Sequence, residues 1–253
     1  MCVTKDTRYK CGACNRKFTI KTGTFMQASH IPVQQWLYTI YIMNTNKKGI
    51  SSIRLSEELG VTQKTAWYMS QKIRECFNYK PVLHGTVEMD ETFIGGKEKN
   101  KHQSKKKGVH GTQGKIAVMG AISREEKQAV AYPVPTVNHN EVGTFLQKNV
   151  DADATLMADE APSYDKYTQL RSNHSAKQYV DGMIHTNGIE SFWATIKRAY
   201  VGTFHYWSKK HLHRYINEFV FRYNYRQRGN MIFINQVLKI GKNKVTTFKE
   251  IRA

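Results

Sequence analysis

Three short apolar segments, Thr86–Ile94, Ile116–Ile122 and Ala129–Val134, follow one another with only polar connections between them. Each has the length and residue types of a strand, so the run predicts a meander of three antiparallel strands. A sheet of this kind cannot leave both faces bare, and cover follows at once in the chain. Glu141–Val150 has helical spacing, Ala154–Ala158 reads as a fourth strand, Ser163–Leu170 as a helix and Ala176–Val180 as a fifth strand. A long helix opens near Asn187, and Lys209–Tyr225 forms another, with Leu212, Tyr215, Ile216, Phe219 and Val220 on its buried side.

The order β-β-β-α-β-α-β-α predicts a mixed α/β domain of ribonuclease-H-like type over residues 84–225, with the first and fourth strands adjacent at the sheet centre. Two smaller regions precede it. Within residues 1–28, Tyr9–Phe18 reads as a strand, a tight turn holding Cys11, Gly12 and Cys14, and a returning strand. That is one half of a zinc ribbon, with Cys11 and Cys14 at ligand spacing and Cys2 as a third candidate. Within residues 29–80, Ser29 is positioned to cap a helix with Pro32 in its first turn and Val33, Trp36, Leu37, Ile40 and Tyr41 along it. A shorter helix carrying Ile53, Leu55 and Leu59 then ends at Gly60, and Thr62 caps a second one bearing Ala66, Trp67, Met69 and Ile73. This helix-turn-helix pattern would present Gln63, Lys64, Thr65 and Tyr68 to a major groove. Residues 226–253 form a basic C-terminal extension without clear periodicity.

Carboxylates in or beside apolar strands are unfavourable unless paired or bound to a cation. Asp90 lies within the first strand and Asp159 follows the fourth, so the expected topology lets the two converge. Glu88 and Glu91 stand as alternatives to Asp90, and Glu160 as an alternative to Asp159. Glu190 enters on the first turn of the helix that begins near Asn187, with Phe192, Trp193 and Ile196 burying that helix and aiming Glu190 inward. Three hard oxygen donors suit two Mg²⁺ or Mn²⁺ ions about 4 Å apart, with positions left open for water and a scissile phosphate. Lys197, two turns beyond Glu190, shares its face and is placed to hold a phosphate backbone, and Asn187, one turn before, could ligate metal or position a strand.

Charge points the same way. Lys and Arg number 39 against 20 Asp and Glu, a formal net charge of +19 spread along the chain. A polyanion is the natural partner, and no basic amphipathic helix or lipidation signal favours a membrane surface instead. No apolar window approaches the ~18 residues of a membrane span, and the N-terminus lacks a signal-peptide core, so the expected location is the cytoplasm, at the nucleoid.

The segments Met89–Lys97, Ala158–Glu160, His185–Trp193 with Lys197 and Arg198, and Glu218–Asn224 resemble the DDE transposases of ISXO-type bacterial insertion sequences. The resemblance covers most of the chain. It implies a zinc ribbon, a helix-turn-helix and a ribonuclease-H-like catalytic domain whose Asp-Asp-Glu triad is matched at Asp90, Asp159 and Glu190, followed by the lysine at Lys197 with Arg198 beside it on the DNA. It also implies Mg²⁺ or Mn²⁺ as cofactor, element ends and target DNA as partners, and at least two copies on DNA. The chain departs from the pattern at the front, where the first cysteine pair of the ribbon is absent. Two other functions share parts of this reading: a ribonuclease-H-like nuclease or resolvase without strand transfer, and a catalytically silent DNA-binding regulator.

Overall fold

The computed structural model describes residues 2–3, 8–96, 102–105, 111–112, 114–159, 170–172, 186–242 and 244–252, with the backbone alone for Cys2, Val3, Lys105, Asp159, residues 170–172 and Phe248. The chain divides into two units, one of residues 78–227 and one in which residues 1–77 join residues 228–253.

The first of these is built on a five-stranded mixed sheet. Strands β4 (Thr86–Ile94), β5 (Ile116–Ser123) and β6 (Ala129–Val134) form an antiparallel meander. Strand β7 (Thr155–Asp159) runs parallel to β4, and β8 (Leu170–Ser172) parallel to β7, in the order β6-β5-β4-β7-β8. Strand β5 is buried on both faces because helices cover both, which is why it reads as one apolar run. Ala117, Met119 and Ala121 face helix α4 (His139–Asn149), where Val142, Phe145 and Leu146 meet them. Val118 and Ile122 face the opposite layer, made by α5 (Asn187–Ala199) and α6 (Leu212–Tyr225).

Local chemistry sets several boundaries. Helix α4 starts where the Asn138 side chain accepts a hydrogen bond from the Glu141 amide, at 2.9 Å. Leu212, Tyr215, Ile216, Phe219 and Val220 are all buried along α6, whose Asn224 amide accepts from the Ala129 N–H at 2.7 Å and donates to its carbonyl at 2.9 Å. That pair of bonds satisfies edge-strand groups that the sheet leaves open. The domain is a mixed α/β fold consistent with a ribonuclease-H-like topology. Of the expected elements between the fourth strand and α5, the strand at Ala176–Val180 and the helix at Ser163–Leu170 lie outside the described residues, except that Leu170 begins β8 instead of closing a helix.

In the other unit, β1 (Cys2–Val3), β2 (Tyr9–Lys10) and β3 (Lys17–Phe18) form a small antiparallel ribbon in which the Tyr9 and Phe18 rings stack 5.6 Å apart. Helix α1 (Val33–Thr45) buries Trp36, Thr39, Ile40, Ile42 and Met43. Ser29 does not cap it: Pro32 takes the cap position, and the Ser29 hydroxyl instead accepts from the Ile31 N–H. Helix α2 (Ser52–Leu59) begins at a Ser51 cap and ends at Gly60, whose φ of 64° is left-handed. Helix α3 (Gln63–Glu75) begins where the Thr62 hydroxyl accepts from the Thr65 N–H at 3.3 Å. The basic C-terminal stretch is also helical, as α7 (Asn230–Gly241) and α8 (Phe248–Arg252). Phe233, Val237 and Gly241 form the buried stripe of α7, with Phe233 against Phe77 and Gly241 against Phe25. No helix among the described residues is long and apolar enough to cross a membrane.

Candidate active site

Alternation along β4 decides which carboxylates can work together. Glu88, Asp90, Thr92 and Ile94 share one face by the two-residue period of a strand, and Ile94 packs in the α5–α6 layer, so this is the face that α5 covers. Asp90 is half-buried, and its Oδ1 accepts from the Glu91 N–H at 2.8 Å. Opposite Asp90 on β5 stands Gly120. A Cβ at Gly120 would lie 2.5 Å from the Trp193 ring, so the missing side chain is what lets the Trp193 ring of α5 come up against the sheet beside Asp90. On the other flank, the β4–β7 register runs to Met89 opposite Ala158, and the backbones of Asp90 and Asp159 occupy the next positions on adjacent parallel strands. The Asp159 side chain lies outside the described residues.

Glu88 has a different task from the one a free carboxylate could take. It is 2 % exposed; its Oε1 accepts from Arg124 Nε at 2.7 Å, and its Oε2 accepts from the Ile189 N–H at 2.9 Å. Amides in the first turn of a helix have no partner inside the helix, and the helix dipole favours negative charge there. Glu88 therefore acts as a cap supplied from the sheet. Gly188 makes the approach possible, since a Cβ there would sit 2.7 Å from Oε2. The effect is to fasten the start of α5 to β4 two residues from Asp90.

Ile189, Phe192, Trp193, Ile196 and Ala199 are the buried stripe of α5. Glu190 lies about 60° round the helix from Trp193 at 100° per residue, and this places it on the rim of that stripe. It is exposed, where the sequence pattern aimed it inward, and it accepts a hydrogen bond at 3.1 Å from the hydroxyl of buried Thr186. Asn187 and Lys197 are exposed along the same edge, and Arg198, exposed further round, donates to the Thr195 hydroxyl at 3.1 Å. After Ala199 the helix widens into a π-helical turn over Tyr200–Phe204 and stops at His205, which has a φ of 60°.

Residues 82–224 match the model of the ISXO2-like transposase domain, which spans more than half of the chain. The chain belongs to this family. A relative from Halobacterium salinarum, described as an uncharacterized protein in transposable element ISH50, is 26% identical over 232 residues, 85% of this chain and 78% of its own length. Membership supports a transposase-like function in general. The matched part of the chain covers β4 to β8 and helices α4 to α6, short of the last residue of α6.

The remaining sequence-predicted residues fall in the other unit of the chain. Cys11 and Cys14 flank a turn closed by the Cys11 N–H on the Arg16 carbonyl and the Asn15 N–H on the Cys11 carbonyl, at 3.0 and 2.9 Å. Hydrogen bonds from the Cys14 and Ala13 backbones hold the Cys11 thiol below its ordinary pKa. Cys2 pairs with Lys10 through its backbone, and its side chain lies outside the described residues. Cys76 is a core residue at the end of α3, and burial pushes its thiol up to about 12. At the start of α3, Gln63 and Lys64 are exposed and Thr65 and Tyr68 half-buried, with the Gln63 amide donating to Ser52 Oγ at 3.2 Å. Among the described residues, no group of three or more His, Cys, Asp or Glu side chains is arranged to hold a metal ion.

Two structural roles escaped the sequence reading. Glu88 was visible only as one of three acids in a single strand, while its partner Arg124 lies across a hairpin. The pairing of Gly120 with Trp193 left one trace, a glycine inside an otherwise apolar strand, which marks a close approach.

Proposed function

We propose that this protein is an insertion-sequence transposase that binds element ends and cuts and rejoins DNA strands, with Asp90, Asp159 and Glu190 as its metal-binding carboxylates. The observation that carries the reading is the parallel β4–β7 register, which sets the Asp90 and Asp159 backbones side by side, together with the bond from Glu88 that ties the helix bearing Glu190 to the same strand. The donor chemistry fits: all three are hard oxygen ligands of the kind Mg²⁺ and Mn²⁺ prefer, and the family generally uses divalent ions. When bound, such ions supply Lewis-acid stabilisation of the scissile phosphate and activate a water as nucleophile.

The chain's own side chains do the rest. Lys197 and Arg198 grip phosphates along the strand, and the Asn187 amide orients it from the same helix edge. Water attack frees a 3′-OH, which then attacks a target phosphodiester, so one bond forms as one breaks and no covalent protein intermediate arises. In the other unit, α2 and α3 act as a helix-turn-helix whose Gln63, Lys64, Thr65 and Tyr68 meet DNA. The lowered Cys11 thiol suits thiolate ligation, and Cys11, Cys14 and Cys2 would serve a structural zinc. Two copies hold the two element ends.

Incubation of the purified protein with its flanking genomic ends, Mg²⁺ and a plasmid target tests the reading. Joined products are expected from the wild type, and Asp90→Asn is expected to lose cleavage while keeping DNA affinity. Cleavage retained by that variant removes Asp90 from the chemistry. Cleavage without joined products would instead identify a nuclease.

A further inference from the structure

No Asp, Glu, Lys or Arg occurs between Lys21 and Lys47, the longest charge-free run in the chain, and none occurs between Arg228 and Lys239. The fold lays these two runs side by side. Asn44 at the end of α1 donates to the Asn230 side chain at the start of α7, at 2.7 Å. Phe25 packs against both Trp36, near the start of α1, and Gly241, at the end of α7. The helices are therefore antiparallel neighbours, and the outer surface they share carries no charge. We propose that a second copy of the chain docks on this surface; the inference rests on the strand-joining function proposed above, in which two copies hold the element ends, and names the face that joins them.

The outer face of α1 consists of Gln34, Tyr38, Tyr41 and Thr45, and the two tyrosines are 44 % and 42 % exposed. Tyr41 stands one turn before Asn44 and so borders α7. On α7, Met231 is 67 % exposed, and the half-buried Ile234 and Leu238 follow it at helical spacing. These three form a flank roughly 90° round from the buried stripe of Phe233, Val237 and Gly241. Asn230, which meets α1, lies between stripe and flank, so the flank borders α1. Lys239, the one charged residue of α7, projects about 100° further round than Leu238.

Charge decides what covers this face. DNA is gripped through cations, and the face offers none, so it does not serve the polyanion that the rest of the surface attracts. A second copy is the reverse case. Two chains of +19 repel, and like charges set opposite each other cost several kcal/mol, so copies meet at least cost where cations are missing. Tyr and Met are also residues that protein interfaces gather, and Lys is one they shed. An antiparallel helix pair can pack on its own image about a two-fold axis, the same patch on both sides. Size sets the strength: α1 is about 20 Å long and the helix pair about 20 Å across, a face of about 400 Å² in projection, against ~800 Å² per partner in a standard interface. The contact is therefore weak between free chains and effective between chains that DNA already holds close.

The test is sedimentation equilibrium of the full chain without DNA from about 10 to about 300 µM, at about 0.15 and about 0.5 M salt. Monomers are expected to pass to dimers, more tightly at the higher salt, because screening removes the repulsion and leaves the apolar contact. Tyr41→Lys puts two cations into each dimer and is expected to weaken association at least about tenfold, as is Tyr38→Lys. Val82→Lys, which changes an exposed apolar residue of the other unit, is expected to leave it unchanged. Circular dichroism checks that each variant is folded, and one folded tyrosine variant suffices. A wild type that stays monomeric at both salts overturns the proposal. So does association that salt weakens, that survives in a folded tyrosine variant, or that Val82→Lys weakens as much. Joined products from the wild type in Mg²⁺ are measured in parallel. Joining by a chain without this association removes the face and leaves strand transfer standing; association without joining does the reverse.

Discussion

Glu88 links two requirements at once, pairing with the half-buried Arg124 guanidinium and completing the first turn of α5. Removing the buried carboxylate takes a close acceptor from the Arg124 guanidinium and the acceptor of the Ile189 N–H as well. Glu88→Ala is expected to cost about 3 kcal/mol in urea unfolding, on the scale of other broken buried pairs. Glu88→Gln keeps an acceptor for the Ile189 N–H, so it is expected to cost less and to retain more cleavage; equal losses in the two would show that the helix cap contributes nothing. A second residue-scale effect lies at Cys76, whose buried thiol ionises at about 12 against an ordinary 9.0. Between those values the unfolded chain gives up a proton that the folded chain keeps, so stability is intact below pH 9 and falls as pH rises. On going from about pH 8 to about pH 10.5, the wild type is expected to lose about 2 kcal/mol more than Cys76→Ala, measured by urea unfolding at both pH values.

At the scale of elements, the seat of α5 on the sheet depends on absent side chains. Gly120→Ala drives a methyl into the Trp193 ring, which is itself 2 % exposed and has nowhere to swing. Overpacking of this kind costs about 1–3 kcal/mol, and because the ring lies beside Asp90 the variant is expected to lose cleavage even where calorimetry shows it folded. Full activity in folded Gly120→Ala would mean that α5 is not held to the tolerance argued here. Much of this architecture was legible in the chain. The strand-like runs of β4 to β6 and the helix boundaries at Gly60 and Thr62 are local signals, and local signals survive in a single sequence. Less legible was α7, whose stripe of Phe233, Val237 and Gly241 is blurred by the exposed Met231 and Ile232 alongside it. Glu190 shows the limit of pattern reading at the site: the apolar stripe located its helix, but a residue on the rim of a stripe can turn either way, and the Thr186 hydroxyl holds this one outward.

Over the whole molecule, a net charge of +19 implies that association with DNA is dominated by counterion release. A plot of log affinity against log salt is expected to be linear and steep, losing at least tenfold between about 50 and 200 mM, and a flat line would contradict a phosphate-driven interface. The division of the chain has a separate outcome in the cell. Phe77 and Phe25 receive their partners Phe233 and Gly241 from a stretch of the same unit that is synthesised after residues 78–227. Domains generally fold as they emerge, at about 5–20 residues per second, so residues 78–227 can close while the unit begun before them still waits for α7 and α8. Interrupted synthesis would therefore release chains with a finished sheet beside a unit still lacking the ring contact of Phe77 with Phe233.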